Sequence, residues 1–545
     1  MPKAHYGGMH QSVTNFDQAD SPPNAQPAGE LQRADLWWSR LAGVVSGVAG
    51  LAVADLVARL VAPAGSTVGA VSEWLITLFP AGLVNWGKDT LGTADKPFLM
   101  ATIAVVVLVV AGLAGQAEHR RKYAGGAIFA ALAALGLIGV AHRVGSSLTG
   151  YLPTVVGLLI GYMILSTLIT RLQRWHPRRA EAISDPGGAS ASRRSFLGLT
   201  IAVGSGAAVA TIAGRLLASA SNAVSEVRSK IVLPKPRQAA APVPAGAELN
   251  VSGLSPYVTP NADFYRIDTA FVTPVIQPEK WELKITGMVE NEITINFAEL
   301  TARPMVEHLT TLTCVSNTVG GSLVGNALWL GYPIRDLLAE AKPLPGADMV
   351  LSTSDDGWTA GTPLDALTDP AREALLAVGM NGEPLPVEHG FPVRMVVPGL
   401  YGYVSATKWV VKMKVTTFDK DRGYWTPLGW SALGPIKIAS RIDTPRKSEA
   451  GAGPVVVAGV AWAQHLGISK VEVRVDQGGW QPAALAETVG PDTWRQWKFD
   501  WDAAVGDHTL SVRATDANGN VQTEDDAPPE PDGATGWHTI NVKVT

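Results

Sequence analysis

"HLTTLTCVSNTVGG" occupies His308–Gly321 and carries Cys314, the sole cysteine of the 545 residues. Its first seven residues alternate like a short strand, and the seven that follow are rich in turn formers. Cys314 therefore stands at a strand end, facing a loop of Asn and Gly. One cysteine cannot close an internal disulfide. Three roles are open to it: a buried inert thiol, a reactive thiol, or a soft thiolate ligand to a metal. A structural cysteine sits more naturally in mid-strand, so the position keeps the other two in play.

The surrounding chain reads as strands with a few helices. "KWELKITGMV" (Lys280–Val289) alternates apolar and polar residues, and "PVRMVVPG" (Pro392–Gly399) is a short buried strand closed by Pro-Gly. In "ATKWVVKMKV" (Ala406–Val415) the period of two places Trp409, Val411, Met413 and Val415 on one face. "YPIRDLLAEA" (Tyr332–Ala341) has a helical period. The mixture predicts an α+β domain over residues 249–435. From Ile436 to Thr545 short alternating strands are divided by Gly, Asp and Asn turns, which predicts an all-β sandwich with Trp462, Trp497 and Trp501 in its core.

The first 220 residues differ in kind. A bilayer span needs roughly 20 apolar residues. Segments near 36–62, 97–116, 124–141 and 148–172 qualify, giving a four-helix membrane domain over 35–174 behind a tail at 1–34. A fifth span follows at 196–218, after a basic linker at 175–195. Val68–Trp86 is apolar but interrupted by Glu73 and Pro80, and reads as an interfacial or re-entrant piece. Asp55 and Arg59 are four apart and face each other on the first helix. Arg33, Arg40, "EHRRKY" (Glu118–Tyr123), "RLQRWHPRRAEA" (Arg171–Ala182) and Arg193–Arg194 all fall on one side of alternating crossings. The positive-inside rule then puts the N-terminus in the cytoplasm and everything after about residue 218 outside. "SRRSFLGLT" (Ser192–Thr200) resembles a twin-arginine export signal, and "ASA" (Ala218–Ala220) has the form of a cleavage site. Residues 219–248 form a Pro/Ala-rich, semi-stiff linker. The net charge of −4 excludes a polycation and gives no reason to expect nucleic acid as partner.

Asn261–Val289, "LTCVSN" (Leu312–Asn317), Met380–Val410 and the C-terminal module occur in an order that resembles the sulfite oxidase family of molybdenum enzymes, over residues 250–545. The resemblance implies an α+β molybdopterin-binding domain, an immunoglobulin-like domain often used for dimerisation, and a cofactor of molybdenum with one molybdopterin. It implies Cys314 as the catalytic metal ligand. It assigns Asn261, Phe264 and Tyr265 ("N-x-x-F-Y"), His389 and Arg394 ("HGFPVR"), and Ser405, Thr407 and Lys408 ("YGYVSATKW") to cofactor binding. It also implies Thr353, in "LSTSDDGW", as a further polar contact. A guanidinium fork and an ammonium suit a pterin phosphate.

Two departures bear on the substrate. "LLAVGMNG" has Val378 where the family carries an active-site tyrosine, and "CVSNTVGG" lacks the arginines that follow the ligand cysteine. A small dianion needs positive charge in its pocket. The expectation is thus an oxo-transfer oxidoreductase in which S-oxide or N-oxide reduction is favoured over sulfite oxidation. It would be a multi-pass protein of the cell membrane with an extracytoplasmic catalytic domain. Its partners would be a small-molecule substrate, a quinone or membrane redox protein for electrons, and a second copy through the β-sandwich. The alternative is a non-catalytic molybdopterin-fold scaffold that recruits partners at the membrane.

Overall fold

Alternating apolar residues in the middle of the chain build two sheets around one shared core. The computed structural model describes residues 28–61, 67–79, 90, 95–142, 148–180, 194–209, 226–270, 273–445 and 449–545. One sheet has the order β2-β1-β10-β5-β6, with β1 (Glu282–Gly287), β2 (Ile293–Asn296), β5 (Met349–Ser354), β6 (Thr359–Pro363) and β10 (Val410–Thr416). The other has the order β3-β4-β7-β8, with β3 (Val306–Thr313), β4 (Val324–Pro333), β7 (Leu375–Met380) and β8 (Glu383–Pro384); β9 (Arg394–Val396) pairs with β7. Leu283, Ile285, Val350, Met413 and Val415 of the first sheet meet Leu330, Leu376 and Met395 of the second, with the helix Ile334–Ala341 packed on the same cluster. The other helices of this region span four or five residues, so it is richer in strand than the expected α+β mixture.

The chain of Ala406–Val415 does not keep its simple alternation. The β10–β5 register shifts between Val410 and Lys412, and Trp409 takes φ +50° just before the strand. Val410, Met413 and Val415 are fully buried, whereas Val411 is half-buried. One extra residue in the ladder reverses the face of everything before it.

The C-terminal strands form two sheets, β11-β13-β17-β16 and β12-β19-β18-β14-β15. Their ranges are β11 (Ala439–Thr444), β12 (Glu449–Ala450), β13 (Gly453–Trp462), β14 (Ile468–Val475), β15 (Gln481–Pro482), β16 (Ala484–Leu485), β17 (Arg495–Ala503), β18 (Gly506–Asp516) and β19 (His538–Val544). Val457, Trp497 and Trp501 of one sheet share a core with Val473, Leu510, Val512 and Val542 of the other. Trp462 does not join them. It is an even-numbered residue on β13, opposite in parity to Val457, and packs instead with Trp494 in the core of the central sheets. The sandwich thus turns its outer face, Val460 and Trp462, onto the central domain.

The segment expected to be a linker docks before the first sheet begins. The Arg228 guanidinium donates to the carbonyls of Pro384 (2.8 Å) and Leu385 (2.9 Å), and Gln238 bridges the start of β3 in parallel at Val306.

Four described helices are long and apolar enough to cross a membrane: Asp35–Val61, Phe98–Arg120, Ala124–His142 and Leu148–Trp175. A shorter apolar helix covers Thr67–Leu78, and another Arg194–Val209. Ser192, Arg193, the "ASA" stretch and the C-terminal part of the fifth expected span lie outside the described residues, as do the first 27 residues.

The chain divides into two compact units, and the division crosses the long helices. Within the first unit, made of the segments up to Leu51, Val105–Leu132 and Leu158–Ala207, two helices touch backbone to backbone. A Cβ on Gly43 would come within 2.0 Å of the Ala111 carbonyl oxygen, and one on Gly115 within 2.1 Å of that of Ser39. Small residues at such crossings are what let apolar helices associate in lipid. The second unit holds the remaining helix ends, where Arg59 bonds Asp55 at 2.8 Å, together with the two β-rich domains.

Candidate active site at the end of β3

β3 runs antiparallel to β4 up to the pair Thr313–Val324, and Cys314 is the next residue. Its N–H donates to the Leu323 carbonyl (3.0 Å), and its carbonyl accepts from the Asn317 N–H (3.0 Å). The Asn317 side chain closes the loop by accepting from the Leu323 N–H at 2.8 Å. The thiol is 9% exposed. Two phenols feel it. Burial first, and then the charge of Cys314, push the Tyr265 hydroxyl well above its usual range. Burial is likewise the main reason that Tyr401 is raised to about 12, with Cys314 contributing.

An aromatic layer backs this end of the sheet. Phe264 stacks on Tyr265 with 5.2 Å between ring centroids, and meets Trp329 of β4 and the His389 ring edge-on at 5.8 and 5.5 Å. Arg394, at the start of β9, lies over the Trp329 ring at 5.0 Å. Its guanidinium is 4% exposed and donates only to backbone carbonyls: His389 (3.1 Å), Met395 (3.3 Å) and Ala406 (3.4 Å). No carboxylate pairs with it among the described residues. Burial lowers its pKa to about 10, so it remains charged at neutral pH. An unneutralised buried cation is costly unless an anion joins it.

His389 is neutral for the same reason. Burial, then the charges of Lys408 and Arg394, hold its pKa at about 3. Its Nε2 faces the Asn261 carbonyl at 3.3 Å and must carry the proton. Its Nδ1 is then a lone pair, buried and without a hydrogen-bond partner. Lys408 donates to Asp268 (3.1 Å) and to the Glu388 carbonyl (2.9 Å). Asp268 also holds Arg266 at 3.1 Å. Arg266 and Lys408 thus share the Asp268 carboxylate, while Arg394, near them, has none among the described residues. Together with the His389 acceptor, this surplus fits an anionic heterocycle, as a pterin phosphate is.

The remaining expected contacts divide. Asn261 joins the group through its backbone and pins the β7–β8 turn, its Nδ2 donating to Met380 (3.3 Å) and its Oδ1 accepting from Asn381 (2.8 Å). Ser405 and Thr407 do not bring their hydroxyls to the cluster. Both are fully buried; Ser405 back-bonds to the carbonyls of Leu400 (3.2 Å) and Tyr401 (2.9 Å), and Thr407 pairs with the Ser352 hydroxyl at 2.7 Å. Thr353 lies on β5 opposite Thr359 and Lys412, on the face away from Ser352. Val378 also points elsewhere. Ala377 and Met380 pack with Phe264 and Trp329, whereas Val378, 1% exposed, packs into the central core with Leu376. Val378→Tyr is therefore expected to overpack that core and cost roughly 1–3 kcal/mol, read as a lowered Tm, without opening sulfite turnover.

Arg266, Asp268, Trp329 and Tyr401 were not singled out from the sequence. The first two follow Tyr265 closely in "NADFYRID" (Asn261–Asp268), but Lys408, the partner of Asp268, is 140 residues away. Trp329 reads as an ordinary core residue.

Lys408 gives the site a pH dependence. Burial lowers its pKa from 10.5 to about 8, with Asp268 pulling the other way. Between about 8 and 10.5 the unfolded chain holds the proton and the fold does not. The burial penalty on the cofactor-free fold is thus present below pH 8 and relieved as pH rises through that window. A bound anion favours the charged ammonium, so Lys408 must take up a proton on binding once pH exceeds the pKa of the free site. Affinity for the anionic cofactor is expected to fall above pH 8, and Lys408→Arg, which does not titrate there, is expected to flatten the profile.

The oxidoreductase molybdopterin binding domain family matches residues 270–425. Mitochondrial sulfite oxidase of Drosophila melanogaster is 28% identical over 323 residues, covering 49% of this chain and 56% of that protein. The chain therefore spans little more than half the length of that curated relative. The uncharacterized oxidoreductase YuiH of Bacillus subtilis is 35% identical over 155 residues, covering 28% of this chain and 74% of its own. Among solved structures, the sulfane dehydrogenase SoxCD of Paracoccus pantotrophus aligns with a TM-score of 0.47 and 23% identity, over 54% of this chain and 86% of that one. With the matched domain enclosing Cys314, His389, Arg394 and Lys408, the chain belongs to the sulfite oxidase family of molybdopterin-dependent oxidoreductases.

Proposed function

We propose that this chain is a membrane-anchored, extracytoplasmic oxidoreductase that holds one molybdenum–molybdopterin group and transfers an oxo group to or from a small molecule. The observation that carries the proposal is the buried Arg394 guanidinium, without a carboxylate partner, beside the unpartnered His389 Nδ1. Arg394 and Lys408 would hold the cofactor's phosphate, the neutral His389 would accept from a ring N–H, and Cys314 would ligate the metal from the end of β3. When bound, the molybdenum centre supplies the two-electron oxo-transfer chemistry. The chain fixes the thiol, supplies positive charge and keeps Phe264, Tyr265 and Trp329 as a dry wall.

The residues after Cys314, Val315–Gly321, offer no cation to a dianion. An S-oxide or N-oxide therefore suits the site better than sulfite. The apolar helices anchor the enzyme, with the basic loops of the sequence on the cytoplasmic side. The C-terminal sandwich corresponds to the family's immunoglobulin-like module and would carry a homodimer interface. A quinone or a membrane redox protein would complete the electron path.

Elemental analysis and a pterin fluorescence assay on the detergent-purified chain test the core of this reading. About one molybdenum and one pterin per chain are expected. A folded, exported chain lacking both would leave only the scaffold alternative. Turnover of sulfite at low micromolar concentrations would remove the S-oxide assignment and keep the enzyme.

A further inference from the structure

β3 is the terminal strand of its sheet, so one edge has no neighbour within the sheet. An open edge leaves N–H and C=O groups to be satisfied elsewhere. Gln238 accepts from the Glu307 N–H at the start of the strand, and the C-terminal sandwich serves the end next to Cys314. The Thr311 N–H donates to the Asp492 carbonyl (2.9 Å), and the Trp494 N–H donates to the Thr311 hydroxyl (2.8 Å). The Gln464 amide donates to the Thr311 carbonyl (3.1 Å) and to the hydroxyl of Thr313 (2.8 Å), the residue before Cys314. Gln464 is buried, and its Oε1 has no partner, so the side chain serves β3 purely as a donor. Asp492 is fixed in turn by His308 of β3 (2.8 Å) and by His465 (3.3 Å). Burial works to raise its pKa, but those two hydrogen bonds prevail and hold it at about 2.

The sandwich also holds the chain beyond the thiol. Arg441 of β11 donates to the Gly321 carbonyl at 2.8 Å and is anchored by Asp443 and Ser255. Gly320 has φ +75°, and a Cβ there would come within 2.2 Å of the His538 ring of β19. The ring fills the space a side chain would take. The contacts therefore bracket Cys314 from before and after.

We propose that the C-terminal sandwich is a positioning element of the active site: Gln464 and Asp492 on one side, and Arg441 and His538 on the other, clamp the chain around Cys314 and set where its thiol stands. The role toward a metal rests on the function proposed above; the clamp itself does not. These are positioning residues, since none of them is placed against substrate or cofactor.

The sole cysteine makes the test direct. The full-length chain, produced without molybdenum cofactor, is treated with a maleimide under native conditions. In Gln464→Glu an acceptor replaces the donor facing the Thr311 carbonyl. Labelling of Cys314 is expected to accelerate by about tenfold or more, as local opening becomes easier. Arg441→Lys is expected to do the same from the other side. Leu510→Ala, in the sandwich core and away from β3, is the control for general loss of stability and is expected to label at the wild-type rate. Labelling of both clamp variants within about twofold of wild type, or an equal acceleration in Leu510→Ala, would overturn the proposal. In cofactor-loaded protein, the thiolate-to-metal absorption band is expected to shift in Gln464→Glu and stay in place in Leu510→Ala. Absence of any such band in the loaded wild type would defeat the metal assignment and leave the labelling result standing.

Discussion

Arg394→Met is expected to strip the chain of its pterin while leaving the cofactor-free fold close to wild-type stability. A guanidinium that meets a phosphate with two charge-assisted hydrogen bonds contributes about 3 kcal/mol or more, so retention should fall by more than a hundredfold. The fold responds differently. Arg394 now donates to the carbonyls of His389, Met395 and Ala406. Their loss costs about 1 kcal/mol each, whereas removing an unpaired buried cation returns several kcal/mol. Methionine also keeps the contact with the Trp329 ring. The two effects offset to within about 2 kcal/mol, measured by chemical denaturation of protein made without cofactor. A variant that unfolds would show the arginine to be structural. One that keeps stoichiometric pterin would place the anion elsewhere.

How much of this could be read from the chain depends on how local each signal is. β3 and the position of Cys314 at its end follow from one alternating run and one cluster of turn formers, both within 14 residues. β9 and the helix Ile334–Ala341 are similarly local. The face of Trp409 was not, because a register shift in β10 depends on the partner strand β5. Trp462 was misplaced for a simpler reason: its even parity on β13 sets it opposite Val457, but nothing local says that the outer face of the sandwich is also buried.

The site divides along the same line. Cys314, His389, Arg394 and Lys408 sit in motifs and are brought to one end of the sheet. Ser405 and Thr407 share a motif with Lys408, yet Ser405 bonds its own backbone, as a hydroxyl in a tight turn readily does, and Thr407 pairs with Ser352 on a strand 55 residues away, a partner no local pattern shows. Asp268 and the clamp residues Gln464 and Arg441 were invisible because their partners lie 120 to 153 residues away.

If Cys314 ligates the metal as proposed, Cys314→Ser is expected to reduce turnover by more than about a hundredfold, since a hard, neutral hydroxyl would replace a soft thiolate. The loss should fall on kcat rather than on pterin content. On the proposed reading Arg394, Lys408 and His389 would hold the pterin independently of the thiol, so pterin per chain should stay near the wild-type value while molybdenum falls or its absorption changes. The fold should tolerate the exchange. Serine is nearly isosteric, Cys314 lies in a turn rather than in mid-strand, and its backbone bonds to Leu323 and Asn317 do not involve the side chain. A buried hydroxyl in place of the thiol costs about 1–2 kcal/mol, which a melt of the cofactor-free protein would register as a small decrease in Tm. This pattern of lost rate, kept pterin and kept fold separates a metal ligand from an inert buried thiol. Activity within about tenfold of wild type with unchanged molybdenum would assign Cys314 to the inert class, and the search for the ligand would move to the residues around Tyr265 and Tyr401.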